Sequence, residues 1–284
     1  MGIGYTVEGL PPSKIVLEVR KYVWGILDKL FQDFNKKVEG SLFESPEFGS
    51  FRWIKSELTV PSFEYFTFAY KDAVFAALVD IVKNGKAELP LEKARELCQK
   101  AQRYNLVPCI CPVKLTPLPP DESGKVTQCK IQLIEGPPHG WGIFHARTRK
   151  YINPQDYGKD RSTPMSEWEL HHLAINVVCR EAIEKEGFTF CSCCDLPEAN
   201  PQIWFYDKEK RRAWVIVRFQ RTLDESAAKE FESMAAADPN LTPYDGYFAA
   251  VSARPASGNY NDPLFRGKNY LTNFRGLIKV HTAK

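Results

Sequence analysis

Absences narrow the possibilities first for this chain of 284 residues. No run of eighteen apolar residues occurs, so no membrane-spanning helix and no membrane partner are expected. The opening MGIGYTVEGLPPSK has no basic region followed by an apolar one. It is therefore expected not to be a secretory signal, which makes the cytoplasm the expected location. There is no excess of one charge: 38 Lys and Arg against 35 Asp and Glu leave a formal +3. That balance is too small to imply nucleic acid by itself. A Gly-rich phosphate loop, a G-x-S-x-G elbow and a Ser, His and Asp grouping are all missing, so neither a P-loop site nor a serine-hydrolase triad is expected. Without an export signal, the eight cysteines are expected to be reduced rather than paired in disulfides. What remains is an ordinary globular composition, 44% hydrophobic and 26% charged, able to bury a core.

The most informative stretch runs from Ser166 to Phe219. Leu170, Leu173, Ala174, Val177 and Val178 recur at three and four residues, which predicts an amphipathic helix. Ser166 with Glu169 three residues later is a capping box at its start, and Gly187 supplies its stop. Strands are predicted at 188–194, at 203–205 and at 213–219, the last two joined through the charged turn 207–212. Val215 and Val217 fall on one side of the last strand and Trp214 and Ile216 on the other, so it should be buried on both faces.

Elsewhere the spacing predicts a helix from Ser13 to about Lys37 with Ile15, Val19, Tyr22, Val23, Ile26, Leu27, Leu30 and Phe34 inward, ended by Gly40. A short strand at 51–54 and a strand pair at 63–70 and 74–82 follow, then a helix opened by Pro90 with Leu91, Ala94, Leu97, Cys98 and Ala101 inward. A strand at 107–115 closes this half. Weaker strands are expected at 125–134 and 141–146, a second capping box at Thr222 and Glu225 before another helix, and a strand at 247–253. The tail beyond carries no assignable element. The expected fold is mixed α/β, with lobes at 1–116 and 166–284 joined by a Pro- and Gly-rich region at 117–165. Both lobes read helix, strand hairpin, helix, strand. Phe75 corresponds to Trp214, 139 residues on, and Val107 to Phe248, 141 residues on, which is the mark of an internal duplication.

The span 166–253, a helix with a W-E start and a G-F end followed by a strand, a hairpin, a second helix and a strand, resembles the restriction-endonuclease-like PD-(D/E)XK superfamily. The resemblance implies a nuclease scaffold in which an Asp after a Pro, and an acid two residues before a Lys, would hold a divalent metal beside the scissile phosphate. Such a metal needs hard oxygen ligands to activate water and neutralise developing charge. Here Gln202 follows Pro201, and Ile216 and Arg218 stand where the acid and the Lys would be. The implied metal site is therefore degenerate, and no cofactor is expected. In the first lobe Asp80 is retained on the corresponding strand, with Val82 two residues later.

Cys191, Cys193 and Cys194 form a C-x-C-C cluster that could offer thiolates to zinc, with His171 or His172, or with Cys109 and Cys111. A buried, structural role is the expectation. Glu169 and His172 imitate a Glu-x-x-His metal pair, without a second copy. Basic residues gather at Arg147, Arg149 and Lys150, at Lys208, Lys210, Arg211 and Arg212, and in an acid-free run from Arg266 to Lys284. With Arg218, the candidates for a phosphate backbone are Arg147, Arg149, Arg211 and Arg212. Two functions follow: a non-enzymatic, accessory or immunity-like binder of a protein partner on a degenerate nuclease-like scaffold, and alternatively a nucleic-acid-binding protein or divergent nuclease.

Overall fold

Two sheets repeat one strand order, and the repetition can be followed residue by residue. The computed structural model describes residues 5–8, 12–39, 49–55, 65–83, 86–87, 89, 91–117, 119, 128–134, 140–159, 162–221 and 227–283. These divide into two compact units, with the boundary near residue 161.

The first unit contains β1 (Tyr5–Glu8), α1 (Pro12–Glu39), β2 (Phe51–Lys55), β3 (Tyr65–Tyr70), β4 (Ala73–Lys83), β5 (Lys86–Ala87) and α2 (Leu91–Tyr104). It continues with β6 (Val107–Pro117), β7 (Gln128–Leu133), β8 (Phe144–His145) and α3 (Pro154–Tyr157). Its sheet runs β1-β7-β6-β4-β3-β2, with β5 on β4 and β8 on β6. Strands β7 and β8, from the stretch read as a connecting region, are thus members of this sheet. On one face the α1 residues Val19, Val23, Leu27 and Phe31 are buried with Phe51, Phe68, Phe75, Cys109, Cys111 and Trp141. On the other, Leu97 and Cys98 of α2 cover Ala76, Leu78 and Ile110. Alternation along a strand sends neighbouring residues to these two layers.

The second unit contains α4 (Glu167–Val178), which passes into a π-helical segment at Cys179–Glu184, then β9 (Thr189–Cys193), β10 (Ile203–Tyr206) and β11 (Arg212–Phe219). After these come α5 (Ala227–Ala237), β12 (Asp245–Pro255), β13 (Tyr270–Phe274) and β14 (Ile278–His281). Its sheet runs β13-β12-β11-β10-β9, with β14 on β12. The last two strands occupy the tail that sequence left unassigned. Ala213, Val215 and Val217 pack under α4, while Trp214 and Ile216 pack under α5 with Phe231 and Ala235, as the alternation predicted. Gly187 takes φ 74, the left-handed stop.

Each lobe therefore places three antiparallel strands, a crossover helix, a strand parallel to the third, and an antiparallel neighbour in the same order. The parallel pairs fix the register: Phe75 lies opposite Val107, and Trp214 opposite Gly246. The partner of Val107 in the repeat is thus Gly246 rather than Phe248, and the offset becomes 246 − 107 = 139, the same as 214 − 75. The hairpin turns agree, because Lys71 and Lys210, 210 − 71 = 139 apart, both have positive φ, at 50 and 63.

Two inward assignments change. Leu91, the first residue of α2, is 58% exposed. Leu170 is only partly buried and lies outside the apolar cluster that Leu173 packs against, whereas Trp168, His171, His172 and Ile175 are buried, so the inward face of α4 also takes in polar residues. Gly40 and the capping box at Thr222 and Glu225 lie outside the described residues. No described helix is long and apolar enough to cross a membrane.

Candidate functional site

Five polar residues buried in the second lobe, Glu169, His171, His172, Asp195 and Arg266, gather around the first turns of α4. Ser166 Oγ accepts the Glu169 N–H at 3.3 Å, and Glu169 Oε2 accepts the Ser166 N–H at 2.9 Å, completing the capping box. The same carboxylate receives the Arg266 guanidinium, with Nη2 to Oε2 at 2.6 Å and Nε to Oε1 at 3.0 Å. Both side chains are almost fully buried, so the pair survives desolvation only because its hydrogen bonds are met. Arg266 therefore does not belong to a basic surface. Lys279, from the same acid-free run, is held by Asp245 at 3.1 Å.

Two residues beyond Glu169, His171 is 4% exposed and its Nε2 has no hydrogen-bond partner among the described residues. Burial lowers its pKa to about 4; Arg218 and His172 push the same way, against Asp195 and Glu198. At neutral pH the imidazole is uncharged. His172 stacks on Trp168 with centroids 5.3 Å apart, and Trp168 Nε1 donates to Asp195 Oδ2 at 3.3 Å. Carboxylates do reach this end of the lobe, then, but they come from the β9–β10 loop rather than from the strands.

The three residues at the motif positions are all engaged elsewhere. Gln202 is fully buried. Its Oε1 accepts the Val217 N–H at 2.8 Å, and its Nε2 donates to the Ala199 carbonyl and to Asn200 Oδ1. Residue pairing between β10 and β11 starts at Ile203 with Val215, so the Gln202 amide extends the ladder past the strand's end. A carboxylate could not donate these bonds. Ile216 is 0% exposed in the layer under α5. Arg218 donates to the Val217 carbonyl at 2.8 Å and to Asn200 Oδ1 at 2.7 Å, with its guanidinium 4.9 Å from the Phe231 centroid. Burial lowers its pKa from the usual arginine value.

Among the described residues no group of three or more His, Cys, Asp or Glu is placed to hold a metal. Cys191 and Cys193 lie on β9 and Cys194 just beyond it, all partly buried and none in a disulfide. Cys109 and Cys111 belong to the first unit's core, where burial drives the Cys111 thiol up to about 12 and makes it a poor ligand and nucleophile. Glu169 is committed to Ser166 and Arg266, which removes it from a Glu-x-x-His pair.

The five arginines proposed for phosphate contacts separate. Arg211 is tied to Asp207 and Glu209 at the hairpin tip, at 2.8 and 2.9 Å. Arg212 stacks over Trp204, 4.1 Å from its centroid. Arg218 is half-buried, lying over Phe231 and bonded to Asn200. Only Arg147 and Arg149 face a common groove, and there they meet Arg95 of α2. Sequence spacing left out Arg95, Asp195 and Asn200, because each becomes relevant only through a neighbour distant along the chain.

A family model described as a domain of unknown function, DUF8840, matches residues 168–280. The matched span begins within α4 and ends within β14, so it is the second lobe that is similar to that family. No curated protein and no solved structure matches the chain.

Proposed function

We propose that the chain is a non-catalytic, cytoplasmic accessory protein that acts by binding a protein partner, its second lobe being a restriction-endonuclease-like scaffold converted to a structural role. The observation that carries this is the use made of Gln202, Ile216 and Arg218: an amide spent on the Val217 N–H, a core residue, and a guanidinium bonded to Asn200. A metal-dependent nuclease needs carboxylate oxygens at such positions to hold the ion that activates water. Here the positions offer a neutral amide, a methyl surface and a cation. Asp195, one of the nearby carboxylates, receives the Trp168 indole N–H.

Two measurements test this. The chain incubated with Mg²⁺ or Mn²⁺ and duplex DNA, single-stranded DNA or RNA should leave all three intact. Metal-dependent cleavage that disappears in Asp195→Ala would make the protein a nuclease with a displaced carboxylate. Native mass measurement of the chain purified from its own cells should show a complex with a second polypeptide, and a free chain alone would count against the binding role.

A further inference from the structure

The groove in the first lobe has the charge and shape of an anion site. One wall is α2, through Leu91, Ala94, Arg95 and Cys98, and the other is the turn carrying Ala146, Arg147 and Arg149. Its volume is about 340 Å³, at the lower end of the range for small-molecule sites. The turn is rigidly built. His145 N donates to the Lys150 carbonyl at 2.8 Å, Arg149 N donates to the His145 carbonyl at 2.9 Å, and Arg149 sits at φ 56. His145 Nδ1 accepts the N–H groups of Arg147 and Thr148 at 3.1 and 3.3 Å, which requires an unprotonated nitrogen. Burial and the Arg147 charge both favour that state.

Charge accounting selects the ligand. Arg149 Nη1 donates to Asp80 Oδ2 at 2.6 Å, and Asp80, 1% exposed, also accepts the Leu89 N–H at 3.0 Å. This pair anchors the turn to β4 and cancels one charge. Among the described residues Arg95 and Arg147 form no ion pair, so two exposed guanidinium groups remain uncompensated in one groove. A carboxylate would neutralise one of them. A terminal phosphate monoester carries close to two negative charges and three acceptor oxygens at neutral pH, enough to balance both guanidinium groups. Leu91, exposed against the expectation for its helix position, forms with Ala94, Cys98 and Ala146 an apolar shelf beside the charges.

We infer that this groove binds a terminal phosphate monoester, clamped by Arg95 and Arg147, with the organic body of the ligand on the Leu91 shelf. The phosphate has two possible sources, a free small-molecule monophosphate or the phosphorylated end of a nucleic-acid strand.

Calorimetric titration of the full chain distinguishes them, with adenosine 5′-monophosphate, adenosine, and a thymidine hexanucleotide with and without a 5′-phosphate as probes. Binding of the monophosphate, with none of adenosine, identifies a small-molecule site. Binding only of the phosphorylated hexanucleotide identifies a strand end. In either case Arg95→Ala with Arg147→Ala should weaken binding at least tenfold while leaving the melting temperature unchanged, since both side chains are exposed. Arg211→Ala with Arg212→Ala should bind as the parent does. Failure of both phosphorylated probes to bind at millimolar concentration overturns the inference. So does binding that is indifferent to the phosphate, or lost in the Arg211 and Arg212 variant instead.

Discussion

The two lobes share a topology and differ in what lies beneath their first helix. Under α1 the first lobe places rings: Phe31 lies 4.7 Å from Phe51, 4.9 Å from Phe68 and 5.0 Å from Trp53. The first turns of α4 instead bury Glu169, His171 and His172, with Arg266 brought in from beyond β12. An aromatic layer is held by area, whereas a buried polar layer loses stability sharply when the partner of a buried charge is removed. One sheet architecture thus supports either, and the polar layer makes the second lobe the more brittle under single substitutions and under acid.

The largest effect should come from Arg266→Ala. Removing one partner leaves the Glu169 carboxylate buried without its counter-charge, a loss of about 4 kcal/mol. Replacing both, as Glu169→Met with Arg266→Leu, should cost clearly less than the single change. Denaturant unfolding measures the two, and equal losses would mean that the buried charge is not the cause.

Acid should act next, through His171. Its pKa is about 4 in the fold against 6.5 ordinarily. Between those values the unfolded chain takes up a proton that the folded chain refuses. Stability is therefore lost as pH falls from about 6.5 through about 4, by about 3 kcal/mol in total. His171→Asn should flatten that part of the stability profile relative to the parent, and an unchanged slope would place the acid sensitivity elsewhere.

A smaller effect tests the repeat itself. Trp214 and Gly246 stand where the first lobe has Phe75 and Val107, and a Cβ at 246 would come within 2.1 Å of the Trp214 ring. The larger ring and the missing side chain compensate one another. Gly246→Val alone should destabilise by about 2 kcal/mol through overpacking. Adding Trp214→Phe, which installs the first lobe's pair in the second, should recover part of the loss in thermal melts. If the pair is no better than the single change, the two positions are not equivalent in packing.

Much of the second lobe was legible because its signals are local. The Ser166 and Glu169 box, the Gly187 stop and the alternation of β11 each depend on residues within a few positions of one another. The tail was not legible, since β13 and β14 are exposed or short segments whose strand character comes from pairing with β12. Leu91 looked like a core residue because it fits the helical stripe, yet it opens α2 and falls on the groove side. The candidate residues were recognised as types but not as neighbours: Arg147 and Arg149 were visible, while Arg95, some fifty residues earlier, was not.

By itself the sequence determined most of the elements, the mixed α/β class and the repeated order of two lobes, because periodicity, caps and turns act over short distances. Tertiary structure alone decided which charges are spent and which are free. Glu169 meets Arg266 across 97 residues and Asp80 meets Arg149 across 69, and these pairings leave Arg95 and Arg147 as the uncompensated charges of the first lobe's groove. The physical reason is that a charge's effect depends on its distance to other charges and on its burial, and neither quantity is a property of position along the chain.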